Sequence, residues 1–282
     1  MTISQSVRKF LSVTICCILL FMLLMPINCA QVPLTNRQGL HLVSNAELNA
    51  MSLEAYDKVI RESKLSTDQG KTEMVRRVGT RIARATEAFL ENAGQGYKIR
   101  DYDWQFNLIE DEKTANAWCM PGGKVAVYTG ILPYTKDEAG LAVVMGHEVA
   151  HVLADHGNER MSQGLLTQFG GAALSIALTQ KPRQTRELFM TVFGLTANVG
   201  VLLPYSRLHE SEADRIGLLI MGSAGYDPRE AILFWERMSK EDKSRPPELL
   251  STHPEPASRI ARIREYLPEA IQYYDQAAIR GK

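Results

Sequence analysis

The chain has 282 residues, 45% hydrophobic and 23% charged, with 32 basic and 32 acidic side chains and a formal net charge of zero. That composition is ordinary for a globular protein with a substantial core, and one catalytic domain is the simplest count. Balanced charge without a basic stripe leaves no footprint for a nucleic-acid partner or a broad anionic surface.

At the amino terminus, Arg8 and Lys9 precede an uncharged apolar run from Phe10 to Met25. A basic end followed by an apolar segment short for a bilayer span is the pattern of an export signal, expected over residues 1–28, with an uncleaved signal anchor as the other reading. Cys29 resembles the acylated first residue of a bacterial lipoprotein, although Pro26, Ile27 and Asn28 before it are not the small residues such a site prefers. The expected location is the periplasm, either free or membrane-attached by a lipid or the signal anchor. Cys16 and Cys17 fall within the signal, which leaves Cys119 as the certain cysteine of the mature domain, without a disulfide framework.

Residues 29–43, with Pro33 and Gly39, read as an extended lead-in to a single domain over 44–282. Ser44, Asn45 and Glu47 form a helix start. A second helix is expected from about Thr67 to Ala93, where Met74, Val75, Val78, Ile82 and Ala85 repeat at helical spacing and Gly94 to Gly96 supply the stop. Arg76, Arg77, Arg81 and Arg84 line its other side as a solvated face. From Tyr102 to Gly130 the period changes to two: Trp104, Phe106 and Leu108 alternate with polar residues, as do Val125, Val127 and Thr129 after Pro121, Gly122 and Gly123. Two or three strands are expected there.

The next stretch, Val144-Met-Gly-His147-Glu148-Val-Ala-His151-Val-Leu, is an apolar helix carrying HExxH. Residues four apart share a helix face, so His147 and His151 can present ring nitrogens to one metal ion with Glu148 beside them. Flanking Leu141, Ala142, Val143, Val149, Ala150, Val152 and Leu153 make it a core helix. The plain alternative is two buried histidines and a glutamate hydrogen-bonding one another, so a third ligand must come from elsewhere. The close-spaced metzincin continuation is excluded by Ala154 and Gly157, with His156 one place too early. In zinc peptidases the strand ahead of such a helix lies along the cleft, where a peptide can add to the sheet edge. Pro121, Gly122, Gly123 and Val125 are therefore substrate-binding candidates, with an ordinary hairpin as the alternative.

Two apolar stretches follow, Gly164 to Leu178 and Leu188 to Leu203, each short for a membrane span and read as a helical hairpin packed on the core or leaning on a membrane surface. After Pro204 comes an acid-rich helix, Tyr205-Ser-Arg-Leu-His-Glu210-Ser-Glu212-Ala-Asp214. Glu210 and Asp214 share a face, while Glu212 points elsewhere and reads as a salt-bridging residue. Glu210 would complete a His, His, Glu site with one open position, and Asp214 is placed to accept a ring N–H from a ligand histidine. His209 and Tyr205 are candidate helpers. The last segment, Ser258 to Ala278, should be helical with a break or restart at Pro268.

HExxH, a glycine-rich apolar hairpin and Ser-Arg-x-x-Glu-x-x-Ala-Asp together resemble the zinc metallopeptidase family of the CAAX prenyl, HtpX, Oma-type and BepA-type proteases. Val32-Pro-Leu-Thr-Asn-Arg37 is similar to the lead-in of its exported branch, Asn116 to Gly130 to its PGG strand, and Ser251-Thr-His253-Pro-Glu-Pro-Ala-Ser-Arg259 to its His-Pro and Arg motif. The resemblance implies a zincin-like fold, α+β but mainly helical, with a small sheet beside the HExxH helix. It implies one zinc ion held by His147, His151 and Glu210, with Glu148 as general base and Asp214 behind the ligands. It also brings His253 to the catalytic cleft, either occupying the open zinc position and keeping the enzyme latent, or binding substrate or the oxyanion. Asp155 stands where family members often carry Arg, which leaves the local charge open. The function implied is an exported zinc metalloendopeptidase acting on misfolded or stalled envelope proteins. A chaperone-like assembly factor with a latent site and a structural zinc protein are the rivals.

Overall fold

Helices begin in this chain where the sequence supplies a cap. In the computed structural model, which describes residues 29–32, 35–169, 182–193, 195, 206–240, 247–253 and 256–280, Ser44 accepts from the backbone N–H of Glu47 while the Glu47 carboxylate accepts from the N–H of Ser44. This capping box opens α1 (Asn45–Glu62). Asp68 caps α2 (Gln69–Asn92) through the N–H of Lys71, and α2 turns Val75, Val78, Ile82 and Leu90 into the core. Its arginine face is partly tethered rather than simply solvated: Arg77 pairs with Glu138, and Arg81 donates to the carbonyl of Ala224 while covering the Tyr226 ring at 4.0 Å.

Residues 29–43 form more than an extended lead-in. β1 (Cys29–Gln31) and β2 (Gln38–Leu40) pair antiparallel, Cys29 opposite Leu40. The main sheet has three short strands, β3 (Gln105–Ile109), β4 (Ala117–Met120) and β5 (Lys124–Tyr128), in the order β3-β5-β4. β5 is central, parallel to β3 with Phe106 opposite Val125, and antiparallel to β4 with Cys119 opposite Val125.

After the short α3 (Leu132–Thr135), α4 (Glu138–Leu153) starts at Asp137, whose carboxylate accepts from the N–H of Gly140. From Gly140 to Leu153 every residue of α4 is buried, because α2, β4, the next helix α5 (His156–Phe169), α7 (Arg207–Ser223) and α8 (Glu230–Ser239) surround it. A helix enclosed on all sides must be apolar all round, as this one is outside its HExxH residues. α5 packs on α6 (Pro182–Val192). The short α9 (Glu248–Thr252) leads into α10 (Pro256–Arg280), which runs along α7 and links to it through Ser211–Tyr266 and Arg215–Glu269.

The chain is thus a mainly helical α+β domain with a small sheet beside the HExxH helix. One expectation is corrected: α10 continues through Pro268 without a break. A proline removes one intrahelical hydrogen bond, but Ile263 and Ala270 on either side of it are fully buried, and this packing carries the helix across the defect. The export signal over 1–28, Tyr205, and the apolar segments 170–181 and 196–203 lie outside the described residues. Among the described residues, no helix is long and apolar enough to cross a membrane.

Candidate metal centre

The site is assembled where α4 and α7 touch backbone to backbone. A Cβ added at Gly146 would lie 3.0 Å from the carbonyl oxygen of Gly217, and one at Gly217 would lie 3.0 Å from both the carbonyl carbon of Gly146 and the nitrogen of His147. Two glycines at the crossing bring the axes close enough for a carboxylate on α7 to reach two imidazoles on α4. His147 and His151, one turn apart, hold their Nε2 atoms 3.0 Å from each other. Glu210 places Oε1 3.4 Å from Nε2 of His151 and Oε2 3.5 Å from Nε2 of His147.

A fourth donor comes from His253 at the carboxyl end of α9. Its Nδ1 is 2.9 Å from Oε1 of Glu210 and 3.2 Å from Nε2 of His147. One donor atom from each of His147, His151, Glu210 and His253 lies within 4.8 Å of all the others, and the four residues are buried. This set fits a zinc ion: bonds of about 2.0–2.1 Å in a tetrahedron put neighbouring donors about 3.4 Å apart. Protonation agrees. Burial holds the His151 imidazole well below its usual range, hence neutral. Burial alone would raise Glu210, but His253, Arg259 and its bonds to His147 and His151 hold it well below the ordinary carboxylate range. Neutral imidazole and ionised carboxylate are the forms that bind metal.

Glu148 is buried beside this set, with Oε1 3.4 Å from Nε2 of His253. Burial, reinforced by the charge of Glu210 and opposed by His253 and Arg259, pushes its carboxyl up to about 7. Asp214 lies 3.2 Å from Nδ1 of His147, so the ring donates there and keeps its Nε2 lone pair for the site.

Three residues that the sequence did not assign to the site support it from behind. Arg259 on α10 is fully buried and stacked on Trp235 at 3.6 Å; it donates to both carboxylate oxygens of Asp214 and sits 2.9 Å from Oε2 of Glu210. His156 places Nδ1 2.9 Å from Nδ1 of His151 and Nε2 3.1 Å from Glu212. Glu212 is paired with Arg37 and hydrogen-bonded by Thr35. Glu212 does face away from Glu210 and is salt-bridged, as expected, but the pair with Arg37 is drawn into the protein and Glu212 also reaches His156, a neighbour of the candidate ligand His151. His209 stacks on His156 at 4.2 Å and contacts Glu159, outside the four-donor cluster.

The PGG segment takes a different place from the one expected. Gly122 and Gly123, both at positive φ, make the β4–β5 turn. The carbonyls of Pro121, Gly122 and Gly123 are engaged by Ser52, Asp103 and Gln105. Val125 lies in the central strand, with neighbours on both sides. Its backbone cannot take an added strand; the edges of the sheet are β3 and β4, and β4 packs on α4.

Residues 38–267 match peptidase family M48. The mitochondrial metalloendopeptidase OMA1 of Schizosaccharomyces pombe is 36% identical over 244 residues, 85% of this chain and 66% of that protein. Human OMA1 is 28% identical over 85% of this chain and 46% of its own length. The beta-barrel assembly-enhancing protease of Escherichia coli is 32% identical over 57% of this chain and 34% of its own. The chain thus spans between about a third and two thirds of these relatives. The periplasmic location expected from the amino terminus is overturned, since relatives from fungi, plants and animals are named as mitochondrial. The export-signal and lipoprotein readings lose their support with it. With its HExxH helix, distal glutamate and family match over most of its length, the chain belongs to peptidase family M48.

Proposed function

We propose that the protein is a zinc-dependent metalloendopeptidase that cleaves misfolded or stalled proteins and rests in a latent state with His253 in the fourth donor position. The observation that carries this reading is the buried set of His147, His151, Glu210 and His253, with Glu148 beside it. A zinc ion held there would lower the pKa of a coordinated water from about 15.7 towards about 7 and polarise a peptide carbonyl.

The chain's own residues do the rest. Glu148, with a carboxyl near neutrality, is suited to take a proton from water and return it to the leaving amine. Asp214 fixes the tautomer of His147, and Arg259 anchors Asp214 and balances the charge of Glu210. Because His253 reaches both Glu210 and Glu148, its withdrawal would uncover the metal and the base together. The names of the relatives, metalloendopeptidases and an assembly-enhancing protease, support protein substrates.

The presence of His253 among the donors also supports a second reading, a chaperone-like factor that binds unfolded proteins around a permanently closed site. Cleavage of casein by wild type, Glu148→Gln and His253→Ala, with bound zinc quantified, separates the two. The peptidase reading expects Glu148-dependent cleavage. The binding reading expects no cleavage by any of the three and equal capture of unfolded protein by all.

A further inference from the structure

An unbroken line of polar contacts leads from the candidate ligand His151 to the amino-terminal hairpin, more than a hundred residues earlier in the chain. The Nδ1 atoms of His151 and His156 are 2.9 Å apart, and Nε2 of His156 is 3.1 Å from Oε2 of Glu212. Oε1 of Glu212 accepts from the Thr35 hydroxyl at 2.7 Å, and Nε of Arg37 lies 3.0 and 2.9 Å from its two oxygens. The other side of the same guanidinium holds Glu159, through Nη2 at 2.6 Å and Nη1 at 3.0 Å, and Glu159 contacts His209, which stacks on His156. His156 is fully buried, and Glu212 and Glu159 are each 5% exposed.

We propose that Arg37 and Thr35 are positioning residues for the metal centre, acting through Glu212 and His156 to fix the orientation and tautomer of His151. The inference rests on the reading that His151 binds metal. For His151 to offer its Nε2 lone pair, the proton must sit on Nδ1 and find an acceptor. His156 accepts at Nδ1 only when its own proton is on Nε2, and that proton points at Oε2 of Glu212, 3.1 Å away. Arg37 and Thr35 grip both oxygens of that carboxylate and hold it in place. One guanidinium thereby sets two imidazole tautomers in series, an extended form of the outer support that ligand histidines require.

The backbone is shaped for this line. Asp155, with φ of 57°, takes the left-handed conformation that aspartate tolerates better than most residues. This reverses the chain between α4 and α5 and brings the His156 ring against His151. Lys98 clamps the turn, donating to Asp155 at 2.9 Å and to the carbonyl of Gln31 in β1 at 3.1 Å. In β2, a Cβ on Gly39 would come within 2.5 Å of the Glu159 carboxylate, so a larger residue there would push that carboxylate from its place on Arg37. The hairpin grips both the turn that delivers His156 and the carboxylate that orients it.

The test compares the full chain as wild type, Thr35→Val, Arg37→Gln, Arg37→Lys and Glu212→Gln. Zinc affinity is measured by competition with a chromophoric chelator, ligand geometry by the visible spectrum after cobalt(II) substitution, and fold by melting of the metal-free protein. Loss of an outer partner of a ligand histidine lowers metal affinity by about 10- to 100-fold, and Glu212→Gln and Arg37→Gln are expected in that range with an altered cobalt spectrum. Arg37→Lys restores part of the loss, and Thr35→Val, the mildest change, weakens binding least. Lower melting temperatures with zinc affinity and cobalt spectrum unchanged would reduce the hairpin to a structural brace and overturn the inference alone. Failure of the wild type to bind zinc would overturn the metal reading and this inference with it.

Discussion

Nε2 of His253 faces Oε1 of Glu148 at 3.4 Å while its Nδ1 touches Glu210 at 2.9 Å, so one imidazole bridges the candidate base and a candidate ligand. Replacing it with alanine leaves His147, His151 and Glu210 to hold the metal and opens the fourth position. His253→Ala is expected to retain zinc and to cleave casein about tenfold faster than wild type, the size of effect that removal of a modest closing energy of about 1.4 kcal/mol gives. Loss of cleavage with zinc retained would instead assign His253 a part in the reaction itself.

The glycine crossing makes a second prediction. Gly217→Ala forces a methyl group against the backbone of Gly146 and His147, and neither chain can yield within a helix. Overpacking of this kind costs about 1–3 kcal/mol, to be read in urea denaturation. Because the crossing sets how far Glu210 must reach, zinc affinity should fall together with stability. A destabilised variant with undiminished zinc affinity would show that Glu210 does not depend on the crossing.

Arg259 is buried against two carboxylates, and breaking such a pair from one side costs about 3–5 kcal/mol. Arg259→Leu is expected to unfold or to melt far below wild type. Arg259→Lys keeps the charge but loses the fork on Asp214, and should fold with at least tenfold weaker zinc binding, since lysine cannot reproduce a bidentate contact. Equal zinc affinity in Arg259→Lys would limit its role to charge balance.

Acid should weaken the metal-free protein. Against the opposing effect of burial, bonds from His209 and Arg37 bring Glu159 to about 2, and bonds from His156, Arg37 and Thr35 bring Glu212 to about 2; burial brings His156 to about 4 despite the pull of Glu212. All three are depressed in the folded state, so the unfolded chain binds more protons and stability falls as pH falls. The loss begins near pH 6.5 with His156 and His151, is offset down to about 4.5 by Glu148, whose carboxyl at about 7 takes up its proton in the folded state first, and becomes dominant from about 4.5 towards 2 with the carboxylates. Urea melts at pH 5, 4 and 3 should show a steadily lower midpoint. In Arg37→Gln, which removes a partner of both carboxylates, the decline below pH 4.5 should be shallower. A midpoint independent of pH across this range would contradict the account.

Much of the centre was legible in the sequence because it follows helical spacing. His147 and His151 are one turn apart, as are Glu210 and Asp214, and an apolar surround marked α4 as buried. The supporting residues carry no such signal. His156 reaches His151 only because the chain reverses at Asp155, and five residues along an unbroken helix would have placed the two on different faces. Glu212 looked outward until Arg37, 175 residues earlier, gave it a buried partner. Arg259 lay within a recognised motif, but its role needed α10 to pack on α7. The strand failed for a related reason: alternation identified β5, while sheet order, which decides whether a strand is an edge or a centre, is a property of long-range pairing. Pro268 was overruled by the packing around it.

The most direct measurement is cleavage of an unfolded protein by wild type and Glu148→Gln, with the zinc content of each determined on the same sample. The account predicts about one zinc per chain in both, cleavage by wild type that a chelator abolishes and added zinc restores, and none by Glu148→Gln. Equal cleavage by both proteins, or zinc-loaded wild type and zinc-loaded His253→Ala that both cleave nothing, would contradict it.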